Sequence, residues 1–280
     1  MSIKRNIYTG ITNVVVAMGL FSMVACGGAS DESAQRPATS EEPEIKAEKH
    51  QYPMPTPLET ADMLNKAGAS YIIDIANPPE GADNYINESS MALNLGVYSS
   101  DLSYSAVYNK TQQTLNFFDA SQKLVSGLNI EEAFEKGLDE RIRENIEVPD
   151  SVHKLLTGSF EGTYGYLLNQ DKGHLAVMVV AGGWIEGLYL STELSQLTAN
   201  NKEILQGIGE QKATLTKLNE LLEKYAGDQT IDNLIESLGT IEYVLGNVKN
   251  ENGRYSFTKE QITELSHEVQ SLRMRVIGTP

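Results

Sequence analysis

The sequence predicts an all-α fold: a multi-helix bundle preceded by a flexible tether. Three observations carry that expectation. From Pro57 onward, apolar residues recur at three- and four-residue spacings, the period of a helix with one buried face. Leu175 to Leu190 is apolar on nearly every side, as expected of a helix at the centre of a bundle. No series of strands with alternating polarity appears, so nothing founds a sheet.

In chain order, residues 1–25 read as an export signal. Lys4 and Arg5 form its positive end, and Val14 to Ala25 is a 12-residue run without charge. That is short of the roughly 20 residues a spanning helix needs. The run ends Met23-Val24-Ala25-Cys26-Gly27-Gly28, which resembles a bacterial lipobox, with Met23 where that pattern usually has Leu. Cys26 is the sole cysteine. It is therefore the expected site of acylation (palmitate among the chains), and a disulfide framework or Cys-built zinc site is excluded. An ordinary secretory signal with an incidental cysteine is the competing reading. Residues 26–56 are small, acidic and Pro-rich without an apolar period, and read as a lipidated tether. Residues 57–280 read as the helical domain.

Thr56-Pro57 opens a first helix through Leu58, Met63 and Leu64, ending near Gly68. Tyr71 to Ile75 is a short β-branched run broken by Asn77-Pro78-Pro79, and reads as an ordered loop. Asn129 is placed to cap a charged helix with Glu131 and Glu132 in its first turn, ending at Ile146 to Pro149. Asp150 is placed to cap the next, whose stripe is Val152, Leu155, Leu156, Phe160 and Leu167. Ile208, Leu215, Leu218, Leu222 and Tyr225 form another stripe, closed by Gly227; Ile231, Leu234, Leu238, Ile241, Leu245 and Val248 form the next. Thr258 with Gln261 makes a capping box. It starts a helix whose Ile262, Leu265, Val269, Leu272 and Val276 give a narrow seam.

Small residues mark two helices. Gly183, Gly187 and Ser191 recur every fourth residue, as do Ala92, Gly96 and Ser100 in the segment from Met91 to Tyr108. Such stripes let another backbone approach closely. Each helix is followed by one carrying a similar phrase, Ser121-Gln122-Lys123 and Glu210-Gln211-Lys212. An internally duplicated helical hairpin explains the recurrence, and so does chance.

The blocks Ala92-Leu93-Asn94-Leu95-Gly96-Val97-Tyr98-Ser99-Ser100-Asp101-Leu102-Ser103-Tyr104, Gly183-Trp184-Ile185-Glu186-Gly187-Leu188-Tyr189-Leu190 and Ile208-Gly209-Glu210-Gln211-Lys212 together resemble a family of helical lipoproteins from Bacteroidetes. Asn77-Pro78, ahead of the first block, fits the same pattern. The resemblance spans most of residues 57–250. It implies an outer-membrane lipoprotein of all-α fold, facing the periplasm or the cell surface, and it carries over no catalytic residue.

Asp101 and Glu186 are the leading polar candidates, since each is an acid inside a small-residue helix. A buried carboxylate either pairs with a cation or rises in pKa. Lys123 and Lys212, in the helices that follow, are the expected partners. The two acids read either as an ion-pair network that fixes helix register or as an acid/base pair of the kind used in glycoside hydrolysis. Tyr98, Tyr104 and Tyr189 read as core rings or as the lining of a ligand pocket together with Lys212. Glu264 and His267 have the Glu-x-x-His spacing of di-iron bundles, but those need two such motifs facing inward. No metal ligand set, cofactor fingerprint, phosphate loop or nucleophile motif is found.

Asp and Glu total 38 against 22 Lys and Arg, a net charge of −16. That balance, without clustered Lys or Arg, argues against a nucleic-acid partner. The expected function is a membrane-anchored envelope lipoprotein that binds or scaffolds a protein and has no catalysis of its own. The alternatives are a small-molecule binding module with a Tyr-lined pocket, or a hydrolase using Asp101 and Glu186.

Overall fold

A computed structural model describes residues 50–134 and 136–278 of the chain. Cys26, the export signal and all but the last seven residues of the expected tether lie outside the described residues. Among those described, nine α-helices follow one another, as the sequence predicts: α1 Pro57–Lys66, α2 Glu88–Val107, α3 Thr111–Gly127, α4 Leu138–Glu144, α5 Pro149–Asn169, α6 Gly173–Leu197, α7 Lys202–Leu222, α8 Gln229–Gly246 and α9 Lys259–Ile277.

At the centre lie α2 and α6, which share the most extensive interface in the bundle. Every residue from Leu175 to Leu190 is buried in α6, and every residue from Met91 to Val107 in α2. Full burial, not a lipid environment, accounts for the apolar length of α6. The small residues set the closeness of the pair. A Cβ on Gly96 would lie 2.1 Å from the Val179 carbonyl oxygen, and one on Gly182 would lie 1.9 Å from that of Leu93. Gly187 faces Thr60 of α1 instead. Around this pair, α3, α5, α7 and α9 each bury one stripe against it, and α8 closes the outside against α7 and α9. The capping boxes at Thr56 and Thr258 are both formed.

The structure differs from the sequence reading in four places. Asn129 caps no helix. It sits at φ 53° just past α3, where Ile130 N–H bonds the Val125 carbonyl; a left-handed residue closing a helix end favours Asn after Gly. The expected charged helix shrinks to a 3₁₀ turn at Glu131–Ala133 and the short α4 behind Gly137. Asp150 is not the cap of α5 either; Val148 is, with Pro149 at the first helical position and Asp150 in the first turn, where its charge suits the helix dipole. A hairpin also appears, β1 Lys249–Glu251 and β2 Arg254–Ser256, turning at Asn252-Gly253 with both residues at positive φ. It docks on α7 through Gln206, which donates to the Gly253 carbonyl at 2.8 Å and accepts from Tyr255 N–H at 3.1 Å. Finally, packing begins before Pro57. Tyr52 lies edge-on to Tyr164 with ring centroids 5.8 Å apart, and Met54 rests on the core.

Candidate functional site

Between α6 and its neighbours, Glu186 extends into the core. Its carboxylate is fully buried, and so is that of Asp101 from α2. The cation that meets them is Arg273 of α9, 6% exposed. Its Nε donates to Glu186 Oε2 at 2.6 Å and its Nη2 to Oε1 at 2.9 Å, a bidentate fork. The guanidinium lies 4.1 Å above the centroid of the Tyr189 ring, a cation–π contact. Its Nη2 also donates to the Ile75 carbonyl at 3.2 Å.

Lys123 and Lys212 are therefore not the partners. Lys123 pairs with Asp83 at the surface at 2.6 Å, and Lys212 stands exposed on α7. Arg273 escapes a reading that follows only the seam. Yet it lies four residues after Val269 and three before Val276, so helical spacing alone puts it on their buried face.

Two acids share this one cation. Burial pushes both carboxyls above the ordinary range. Asp101 rises furthest, because repulsion by Glu186 adds to burial. Arg273 draws Glu186 back down. Of the two acids, Asp101 is therefore the one whose neutral form the core favours more. Asp101 Oδ2 accepts from Asn77 N–H at 3.1 Å, while Oδ1 has no hydrogen-bond partner among the described residues.

The tyrosines extend the same polar layer along α2. Tyr98 donates to the Pro78 carbonyl at 2.9 Å. Tyr104 accepts from Ile72 N–H at 2.8 Å and donates to the Ser70 carbonyl at 3.3 Å. Tyr108 donates to the Ala69 carbonyl at 2.8 Å. Burial raises all three phenols, that of Tyr104 to about 12, so each remains a donor at neutral pH. Residues 69–85, irregular apart from two 3₁₀ turns, are thus held from behind by side chains of α2 and α9. Asn77 Nδ2 adds a bond to Tyr85, whose hydroxyl reaches the Ile277 carbonyl at 3.3 Å.

Asp101, Glu186, Tyr98, Tyr104 and Tyr189 line none of the main cavities. The three rings serve as core packing and backbone clamps. The largest cavity beside the clamped segment holds about 330 Å³ between residues 73–80 and α3. An apolar slot of about 30 Å³ separates α2, α3 and α5, with Phe118, Phe134 and Phe160 in its walls. Glu264 and His267 are both exposed on α9. Among the described residues, no three His, Cys, Asp or Glu side chains gather as a metal site would require. No family model, curated protein or solved structure matches this chain.

Proposed function

We propose that this chain is a membrane-anchored envelope lipoprotein whose helical body binds or scaffolds another protein without catalysis of its own. The observation that carries the reading is the enclosure of Asp101, Glu186 and Arg273 in the core, with Glu186 held by both nitrogens of the Arg273 fork. A glycosidase pair needs both carboxyls at a cleft that admits sugar and water. Here the acids meet each other and a guanidinium instead, and spend their hydrogen bonds on holding α2, α6, α9 and residues 72–77 together. The address rests on Lys4-Arg5, the uncharged run to Ala25 and the lone Cys26, with firm anchoring needing more than one acyl chain.

Two measurements test this reading. Cys26→Ala should abolish metabolic acyl labelling and move the protein from the membrane to the soluble fraction. Label or membrane retention surviving in that variant refutes the anchor. For the body, cross-linking in intact envelopes followed by pull-down should return one specific protein adduct. Turnover of a glycan by the purified chain, lost on Asp101→Asn, would refute the non-catalytic assignment.

A further inference from the structure

Ahead of α1, Tyr52-Pro53-Met54-Pro55-Thr56-Pro57 sets a proline after every second residue. Each proline keeps the residue before it extended and lacks an N–H of its own, so this strap suits neither a helix nor a sheet interior. It lies on the body by its side chains. Tyr52 and Met54 rest on the core and Thr56 is buried, while Gln51 and Pro55 are exposed.

The strap is pinned by hydrogen bonds at its ends alone. His50 Nε2 lies 3.2 Å from Asn169 Oδ1 of α5, and Thr56 N–H donates to Glu59 Oε2 at 2.6 Å in the capping box of α1. From Gln51 to Pro55 no hydrogen bond joins the strap to any described residue. Burial and dispersion hold the middle, and Tyr52 is short of contacts. It borders both the 30 Å³ slot and a second cavity of about 10 Å³, the latter walled by Met54, Trp184 and Gln211. A ring that faces voids forfeits part of the attraction it would otherwise gain. Around the slot, the hydroxyls of Ser99, Ser159 and Thr163 are spent on carbonyls of their own helices, so they make no polar demand on what covers them.

We propose that residues 50–56 are a latch: Tyr52 and Met54 lift off together while the helices stay folded, and the two cavities merge into one apolar groove crossing α6 from α5 to α7. Thr56 is the hinge, since its capping box belongs to α1 and survives the release. A unit held by two side chains and one end contact opens at far lower cost than the helices it covers. The latch stands on the described residues alone. Its use rests on the envelope reading above. The chain from Cys26 enters the body through this strap, so any load between anchor and body meets the strap before it meets a helix.

Trp184 is the only tryptophan. It is 7% exposed and walls the cavity beside Tyr52 and Met54, so its fluorescence reads the latch. In the full-length wild type, quenching of Trp184 by acrylamide should rise at urea concentrations below those at which helical circular dichroism is lost. In Tyr52→Ala/Met54→Ala the quenching constant should be raised about twofold without urea, with helical dichroism intact. Tyr243→Ala, which trims an exposed ring on α8, should behave as the wild type. Coincident urea transitions in the wild type overturn the latch, because the strap would then melt only with the body. So does a double variant whose Trp184 stays as shielded as before, or one that loses its helical signal. None of these failures touches the envelope reading, which stands or falls on the Cys26 label and the cross-linked adduct.

Discussion

Replacing Arg273 with Met removes the only cation from a site holding two buried carboxyls. Without Arg273 nothing offsets the burial of Glu186 beside Asp101, so Glu186 must take up a proton for the fold to survive. Protonating a carboxyl of ordinary pKa 4.5 at pH 7 costs about 3 kcal/mol, at about 1.4 kcal/mol per pH unit. Loss of the Tyr189 contact adds about 1 kcal/mol, and the unpaired Ile75 carbonyl about 1 kcal/mol more. The total, about 5 kcal/mol, sits at the upper end of what breaking a buried ion pair usually costs. In urea, with a slope of about 3 kcal/mol per molar for a domain of this size, the midpoint should fall by well over 1 M. The sign with pH follows. A carboxyl whose folded pKa is raised contributes most below its unfolded pKa and loses that contribution as pH rises. The deficit of Arg273→Met should therefore shrink by about 2–3 kcal/mol between pH 7 and pH 5. Adding Glu186→Leu removes the stranded acid and should restore most of the stability. A deficit that is the same at both pH values, or a double variant no better than Arg273→Met alone, would refute the charge argument and leave only packing.

Three further outcomes follow from the same geometry. Asp101→Asn keeps an acceptor for Asn77 N–H and a donor toward Glu186; because the Asp101 pKa is raised, this variant should gain on the wild type by up to about 1.4 kcal/mol per pH unit as pH rises from 4 toward 7. Parallel stability-against-pH curves would show Asp101 to be ionised in the fold. Gly96→Ala and Gly182→Ala force a Cβ to about 2 Å from a facing carbonyl, and each should cost about 1–3 kcal/mol or more in thermal or urea unfolding. Gly158→Ala in α5 and Gly239→Ala in α8 meet open space, and each should instead add up to about 1 kcal/mol.

What the sequence made legible was whatever repeats along a helix. The all-round apolar run marked α6, and the 3-4 spacing marked α9. The small-residue stripes marked the α2–α6 contact, although the tightest glycine is Gly182, which falls just off the four-residue series through Gly183. Asp101 and Glu186 stand out in the sequence as acids inside those helices, and both are fully buried. The cation was hidden because a partner was sought in the helices next along the chain, whereas Arg273 lies 87 residues beyond Glu186. Its place on the Val269–Val276 face was the signal that pointed to it. The hairpin was missed because three-residue strands show no alternation to read. The clamped segment has no period at all; its conformation comes from side-chain bonds reaching 24 residues for Asp101 and 198 for Arg273. No local pattern encodes those.

The distinction between stability and placement is where the buried layer can be tested most sharply. An apolar interface between α9 and the α2–α6 pair would tolerate small slides, because dispersion and the hydrophobic effect have little direction. Hydrogen bonds from a bidentate guanidinium do not, since they weaken steeply as angles open. Glu186→Leu/Arg273→Met should therefore unfold near the wild-type midpoint while losing the fixed position of residues 72–77. The amide of Asn77 reports it directly: its N–H is bonded to Asp101, which feels the charges of both Glu186 and Arg273. In the double variant that amide should exchange with solvent deuterium markedly faster, while amides at the centre of α6, buried on every side, should still exchange at the rate set by global unfolding. Equal protection at Asn77 in both proteins would mean that the tyrosine clamps of α2 suffice to hold the segment, and that the ion pair serves only the seating of α9.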